Sequence, residues 1–132
     1  DYELVFRGSR YSAVATIEPC EGSNVPVLLW GIQPEDEKSL DRYEGYPNFY
    51  EKENMEIVLN GRTVSAMVYV MTHGHEFGIP SERYKISIED GYMDAGFDAD
   101  ILQNAVDKTK VKMQEVMNDI GEQESLFGMK WW

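Results

Sequence analysis

The stretch that decides the reading is SLDRYEGYPNFY, Ser39 to Tyr50, in which a carboxylate, Glu44, stands directly before Gly45 where a helix should stop. The segment leading into it, PEDEKSLDRYEG from Pro34, carries Pro at a first helical position and acids in the first turn. Gly45 and Pro47 follow as stop signals, so the pattern predicts a short helix ending at Glu44. An acid at that end breaks a local rule. The unpaired carbonyls of a helix C-terminus carry partial negative charge and favour cations in the last turn. Two readings of Glu44 follow from the residues alone: a solvated acid at a helix end, or an acid kept there for its chemistry.

Working outward, Tyr50–Leu59 (YEKENMEIVL) alternates, Asn60-Gly61 is the pair favoured in two-residue hairpin turns, and Thr63–Met71 (TVSAMVYVM) alternates again. This predicts a hairpin. Upstream, Tyr2–Phe6 and Tyr11–Ile17 read as strands. The apolar run Val27–Ile32 (VLLWGI), after the turn-rich CEGSNVP, reads as a hairpin-like partner to the second of them. Downstream, THGHEFGIPSER reads as loop and GYMDAGF as a further turn-rich stretch. Asp98 reads as the N-cap of an amphipathic helix over residues 98–121, with Ile101, Leu102, Ala105, Val106, Met113, Val116, Met117 and Ile120 on one face. Residues 122–132 form a tail ending in Trp131-Trp132. Strands gathered ahead of helices predict an α+β fold with a curled mixed or antiparallel sheet, and 132 residues predict a single domain.

Composition excludes several classes of function. Twenty-four acidic against 12 basic side chains give a formal charge of −12, and no segment concentrates Lys and Arg, which argues against nucleic acid. No apolar run approaches the length of a spanning helix, and DYELVFRG lacks the order of a signal peptide. With one cysteine, Cys20, the chain forms no internal disulfide, and the expected setting is soluble and cytoplasmic.

The order of parts resembles the γ-glutamylcyclotransferase-like family, with its AIG2-like and butirosin-pathway relatives. An apolar run, VLLWGI, is followed by a short acidic helix, then L-D-x-x-E-G (Leu40 to Gly45), then a tyrosine opening a hairpin. Pro80-Ser81-x-x-Tyr84 and the glycines after Glu89 continue the likeness, which spans roughly residues 2–106. The resemblance implies a small barrel-like fold and an enzyme that cyclises a γ-glutamyl group, releasing 5-oxoproline without cofactor or metal. It implies Glu44 as general acid and base, and Tyr50 and Tyr84 as hydroxyls lining the pocket for a small γ-glutamyl substrate. From the residues alone, those tyrosines equally suit core packing with the hydroxyl tied to a backbone group. The family's other signature, a Y-G-S-N-type loop after its first strand, has no counterpart before Tyr2, and Gly22–Asn24 reads as a turn. The expectation is therefore a domain lacking its N-terminal strand and loop, with a homo-oligomeric contact placed at the C-terminal helix or at an uncovered sheet edge. Either that segment has been lost, which the missing start Met favours, or the chemistry has been abandoned and a binding module remains.

Weaker signals are His73, His75 and Glu76, an H-x-H-E cluster short of the ligands zinc needs, and Cys20, set between Glu18 and Glu21 where a thiolate is disfavoured. Met113 and Met117 read first as gap-filling core.

Overall fold

A computed structural model describes residues 1–126, with side chains through residue 120. In chain order the elements are β1 (Tyr2–Gly8), β2 (Val14–Pro19), α1 (Pro34–Glu44), β3 (Tyr50–Leu59), β4 (Arg62–Met71), β5 (Glu76–Phe77), α2 (Glu82–Ala95) and α3 (Ala99–Leu126). The chain divides into two compact units, Asp1–Asn24 with Glu76–Trp132, and Val25–His75. The class is α+β as the pattern predicts. Among the described residues every ladder is antiparallel, and neither the three-stranded sheet β2-β1-β5 nor the pair β3-β4 closes on itself.

The first unit packs α3 on the three-stranded sheet. Phe6, Ala13, Leu102, Ala105 and Val106 form its core, with Leu4, Ala15, Tyr84, Ile88 and Tyr92 partly buried against it. Thr109 is buried in the same region, where its hydroxyl donates to the Ala105 carbonyl at 2.9 Å and accepts from the Phe6 backbone N–H at 3.4 Å. One polar side chain thus ties helix to strand without leaving a buried group unpaired. An ion pair between Lys112 and Glu3 extends the same helix-to-strand tie. Gly78 crosses so close to Ser9 that an added Cβ would lie 2.0 Å from the Ser9 carbonyl oxygen, so this crossing admits glycine alone.

The second unit is α1 with the β3-β4 hairpin. Its turn has the form the sequence predicts, with Asn60 and Gly61 both at positive φ (50° and 79°). A two-residue turn there sets the register: Leu59 faces Arg62, and counting back, Lys52 faces Tyr69 and Tyr50 faces Met71.

Three expectations are corrected. Val27–Ile32 is not a strand and does not pair with β2, which pairs with β1 instead. Its Val27, Leu28, Leu29, Trp30 and Ile32 are exposed, because an apolar run reads as a strand by composition but becomes one only with a neighbour to bond. The stretch around GYMDAGF is helix rather than turns. Ser81 caps α2 by accepting from the Tyr84 N–H, Tyr84, Ile88 and Tyr92 recur every fourth residue toward the core, and that burial outweighs the cost of Gly91 in mid-helix, about 1 kcal/mol. Lastly, α3 runs through Gly121 to Leu126, since a single glycine costs a helix only about 1 kcal/mol. The Asp98 cap stands as predicted, its carboxylate accepting from the Asp100 N–H at 2.9 Å. Trp131 and Trp132 lie outside the described residues. Among the described residues no helix is long and apolar enough to cross a membrane.

The two halves of α3 differ. Leu102 is fully buried, whereas Val116, Met117 and Ile120 are about half exposed, so Met117 is not core; with Met113, Phe77, Arg7 and Arg10 these three line an open cavity of about 330 Å³. Leu102→Ala is therefore expected to cost about 2–5 kcal/mol of stability. Val116→Ala should change it by no more than about 0.5 kcal/mol. Urea denaturation of the two variants beside the wild type measures both.

Candidate active site

Helix α1 opens on Gln33, whose backbone N–H donates to the Asp36 carboxylate at 3.0 Å, with Pro34 following at the first helical position. Its other end carries Glu44 and closes in a Schellman turn. Gly45 takes the left-handed conformation (φ 68°, ψ 34°), its N–H donates to the Arg42 carbonyl, and the Tyr46 N–H reaches back to the Asp41 carbonyl at 2.9 Å. The Phe49 N–H donates to the Gly45 carbonyl at 2.9 Å, so the chain reverses tightly from Glu44 into Tyr50 and β3; the Tyr46–Pro47 peptide within it is cis.

No side chain of α1 is fully buried. The helix is held instead by polar contacts to the hairpin. Lys52 on β3 and Tyr69 on β4 face each other across the ladder and both reach Asp41. The Tyr69 hydroxyl donates to Asp41 Oδ1 at 2.5 Å, and Lys52 Nζ donates to Asp41 Oδ2 at 3.0 Å and to Glu37 Oε1 at 3.3 Å. The same Nζ lies 4.3 Å from the centre of the Tyr46 ring. These contacts set the local electrostatics. The Tyr69 hydroxyl and then Lys52 hold Asp41 below the usual carboxylate range, while burial and the neighbouring Asp41 push Tyr69 up to about 12, so its proton stays on.

Glu44 is in the opposite state. It is half-buried, takes no hydrogen-bond or ion-pair partner among the described residues, and burial raises its pKa above the ordinary value of 4.5. Asp41 and Glu44 are one turn apart on one helix, and their environments push their pKa values in opposite directions. A carboxylate raised in this way is the kind of group that acid–base chemistry near neutral pH can use. Arg42, the basic residue of the last turn, is exposed.

Of the other residues singled out, Tyr50 is buried (8% exposed) and packs edge-on to Phe49, with ring centres 5.1 Å apart. By strand alternation it shares a face of β3 with Lys52, so it lies on the face that carries α1. The second unit thus brings Tyr50 and the Glu44 helix to one side of one hairpin. Tyr84 belongs to the first unit, where it packs on the core and its hydroxyl accepts the Ala15 N–H at 3.0 Å. His75 packs edge-on against Phe49 at 4.8 Å, with Nε2 3.1 Å from Thr72 Oγ1, and His73 is exposed. Among the described residues no three His, Cys, Asp or Glu gather as metal ligands. The Cys20 thiol lies 3.3 Å from the Ser23 hydroxyl, beside the turn at Gly22–Asn24 whose Gly22 N–H donates to Asp1.

Sequence reasoning passed over Asp41, Lys52 and Tyr69. A signal for them existed, since Asn60-Gly61 as a two-residue turn puts Lys52 opposite Tyr69 by counting alone.

The fold recurs among solved structures. An uncharacterized protein from Homo sapiens aligns with a TM-score of 0.69 and 25% identity, over 80% of this chain and 67% of that one. A gamma-glutamyl cyclotransferase aligns with a TM-score of 0.65 and 24% identity, over the same shares of each chain, 80% and 67%. Among curated proteins no match is found. The family model for gamma-glutamyl cyclotransferase, AIG2-like, matches residues 1–91, and by that match the chain belongs to the gamma-glutamyl cyclotransferase, AIG2-like family.

Proposed function

We propose that the protein is a cyclotransferase acting on a γ-glutamyl amine or γ-glutamyl amino acid, with Glu44 as its general acid and base. The observation that carries this reading is the state of Glu44: a half-buried carboxylate, unpaired among the described residues, whose pKa burial raises, at the position of the L-D-x-x-E-G motif. Family membership and the structural neighbour support the class of reaction.

The α-ammonium of the glutamyl unit must lose a proton before its nitrogen can attack, and its ordinary pKa is about 7.7–8.0. A carboxylate raised toward neutrality takes that proton more readily than an ordinary glutamate does. The nitrogen then attacks its own γ-carbonyl carbon, closing the five-membered ring and forming a C–N bond. Collapse of the tetrahedral centre breaks the original amide C–N bond, and the proton held on Glu44 passes to the departing nitrogen. The ring nitrogen gives up its second proton to the departing amine, so the products are 5-oxoproline and a protonated amine, and Glu44 returns to its starting state. Tyr50, on the sheet face that carries α1, is the residue proposed to wall this site. For Tyr84 a role toward substrate is also proposed, although its hydroxyl already accepts one backbone N–H. The grip on the substrate's own carboxylate is assigned to a Y-G-S-N-type loop, which no stretch of residues 1–132 supplies.

The test is release of 5-oxoproline from a panel of γ-glutamyl amines and amino acids, by the chain as it stands and by the chain supplied with a Y-G-S-N-type segment ahead of Asp1. Glu44→Gln keeps the shape of the side chain but cannot exchange a proton, so kcat is expected to fall by at least ~10²-fold. If no donor yields 5-oxoproline with either form, or if Glu44→Gln turns over normally, a non-catalytic binding module on the same fold takes the enzyme's place.

Glu44 also carries a stability signature. A folded-state pKa raised above 4.5 means that the folded chain holds this proton more tightly than the unfolded chain does. The stabilising contribution is complete below the unfolded value and is lost as pH rises through the folded one. Glu44→Gln should therefore be more stable than wild type near neutrality, with the difference closing on acidification, as urea midpoints between roughly pH 4 and 8 would show.

A further inference from the structure

We propose that Lys52, held by Asp41 and Tyr69, is the positioning residue that fixes the Glu44 carboxylate by closing the helix-end turn from outside. The inference rests on the reading of Glu44 as the acid–base group, but its geometry lies wholly within α1 and the hairpin.

Two Schellman turns among the described residues supply the comparison. In such a turn the residue two past the helix end usually touches the residue three before it through apolar side chains, and that contact holds the reversal shut. The end of α2 follows the rule. Gly96 is left-handed at φ 76°, the Phe97 N–H donates to the Tyr92 carbonyl at 2.8 Å, and the Tyr92 and Phe97 rings meet edge to face at 5.5 Å. At the end of α1 the equivalent pair is Asp41 and Tyr46, a carboxylate and an aromatic ring that have no apolar contact to offer each other. Lys52 bridges them, with Nζ bonded to the Asp41 carboxylate at 3.0 Å and lying over the Tyr46 ring at 4.3 Å. Tyr69, opposite Lys52 in the ladder, donates to Asp41 Oδ1, which Lys52 Nζ also approaches to 2.9 Å.

Glu44 lies inside the loop of chain that this bridge closes, between Asp41 and Tyr46. The same contacts are the polar tie of α1 to the hairpin, because no α1 side chain is fully buried. Loss of the bridge would therefore let the last turn open and Glu44 reach solvent. The charged and titratable groups gathered at this turn are Glu37, Asp41, Arg42 and Tyr43 on α1, Tyr46 just past it, Lys52 on β3 and Tyr69 on β4, with Lys52 committed to the two acids. An overall loss of fold would lower the melting temperature without moving Glu44 selectively, whereas a failed bridge moves Glu44 in a chain that remains folded.

The experiment follows the Glu44 side-chain carboxyl carbon by NMR through a pH titration of the intact chain, in wild type and in Lys52→Met, Lys52→Arg, Asp41→Asn and Tyr69→Phe, with melting temperatures and 5-oxoproline kinetics alongside. Lys52→Met and Asp41→Asn are expected to move the Glu44 midpoint down toward the ordinary carboxylate range. They should lower kcat by roughly 10–100-fold with little change in KM, as misplacement of a reacting group does. Lys52→Arg keeps a cation that can both pair with a carboxylate and stack on a ring, and should restore most of both properties. Tyr69→Phe removes one hydroxyl and should give a smaller shift in the same direction in a chain that folds. A Glu44 midpoint unchanged in Tyr69→Phe and in whichever of Lys52→Met and Asp41→Asn fold overturns the proposal. Absence of 5-oxoproline from wild type removes the cyclotransfer reading alone, since the titration decides the bridge without any turnover.

Discussion

Helix α1 has no fully buried side chain, and polar contacts converging on one carboxylate, that of Asp41, tie it to the hairpin. An amphipathic helix is ordinarily located by the apolar stripe it hides, and the stripe tolerates small slides and rotations. A carboxylate gripped by a phenol on one oxygen and by an ammonium that reaches both tolerates few, because hydrogen bonds weaken steeply off their preferred geometry. In return such contacts depend on charge state. Asp41 must stay ionised and Tyr69 must keep its proton, and each holds the other in the required form.

The other unit is built by the ordinary route. Phe6, Leu102, Ala105 and Val106 bury against one another, and Thr109 spends its hydroxyl on both α3 and β1, so helix and sheet are joined by burial with one satisfied polar bridge. Tyr84 belongs to this scheme, packed on the core with its oxygen on the Ala15 N–H. The contrast bears on function. A hydrophobic interior gives stability, whereas the region around Glu44 keeps polar groups at partial exposure, where one carboxylate can be lowered and its neighbour one turn away raised.

The elements most legible in the sequence are those whose signals are local. Pro34 and Gly45 bracket α1, Asn60-Gly61 sets the β3-β4 turn and its register, and Asp98 starts α3. In each case the backbone preference acts within a few residues and needs no distant partner. Where reading failed, a distant partner was decisive. Val27–Ile32 has the composition of a strand yet joins no sheet among the described residues, and the segment from Glu82 to Ala95, glycine and all, is helical because Tyr84, Ile88 and Tyr92 find the core.

Glu44 itself could be singled out from the chain, since an acid before a helix-stopping glycine breaks a local electrostatic preference and stands in a recognisable motif. Its burial could not be singled out in the same way. Whether a carboxylate at a helix end is solvated or raised in pKa depends on what covers it, and that is a matter of side chains brought from elsewhere in the fold. The sequence by itself determined the helix that ends at Glu44, the turn that follows and the hairpin whose register opposes Lys52 to Tyr69. Only the tertiary structure decided that these two side chains meet on Asp41 while Glu44, one turn on, is left half-buried and unpaired among the described residues. The physical reason is range: backbone conformation is set by neighbours along the chain, while desolvation and pairing of a charge are set by neighbours in space.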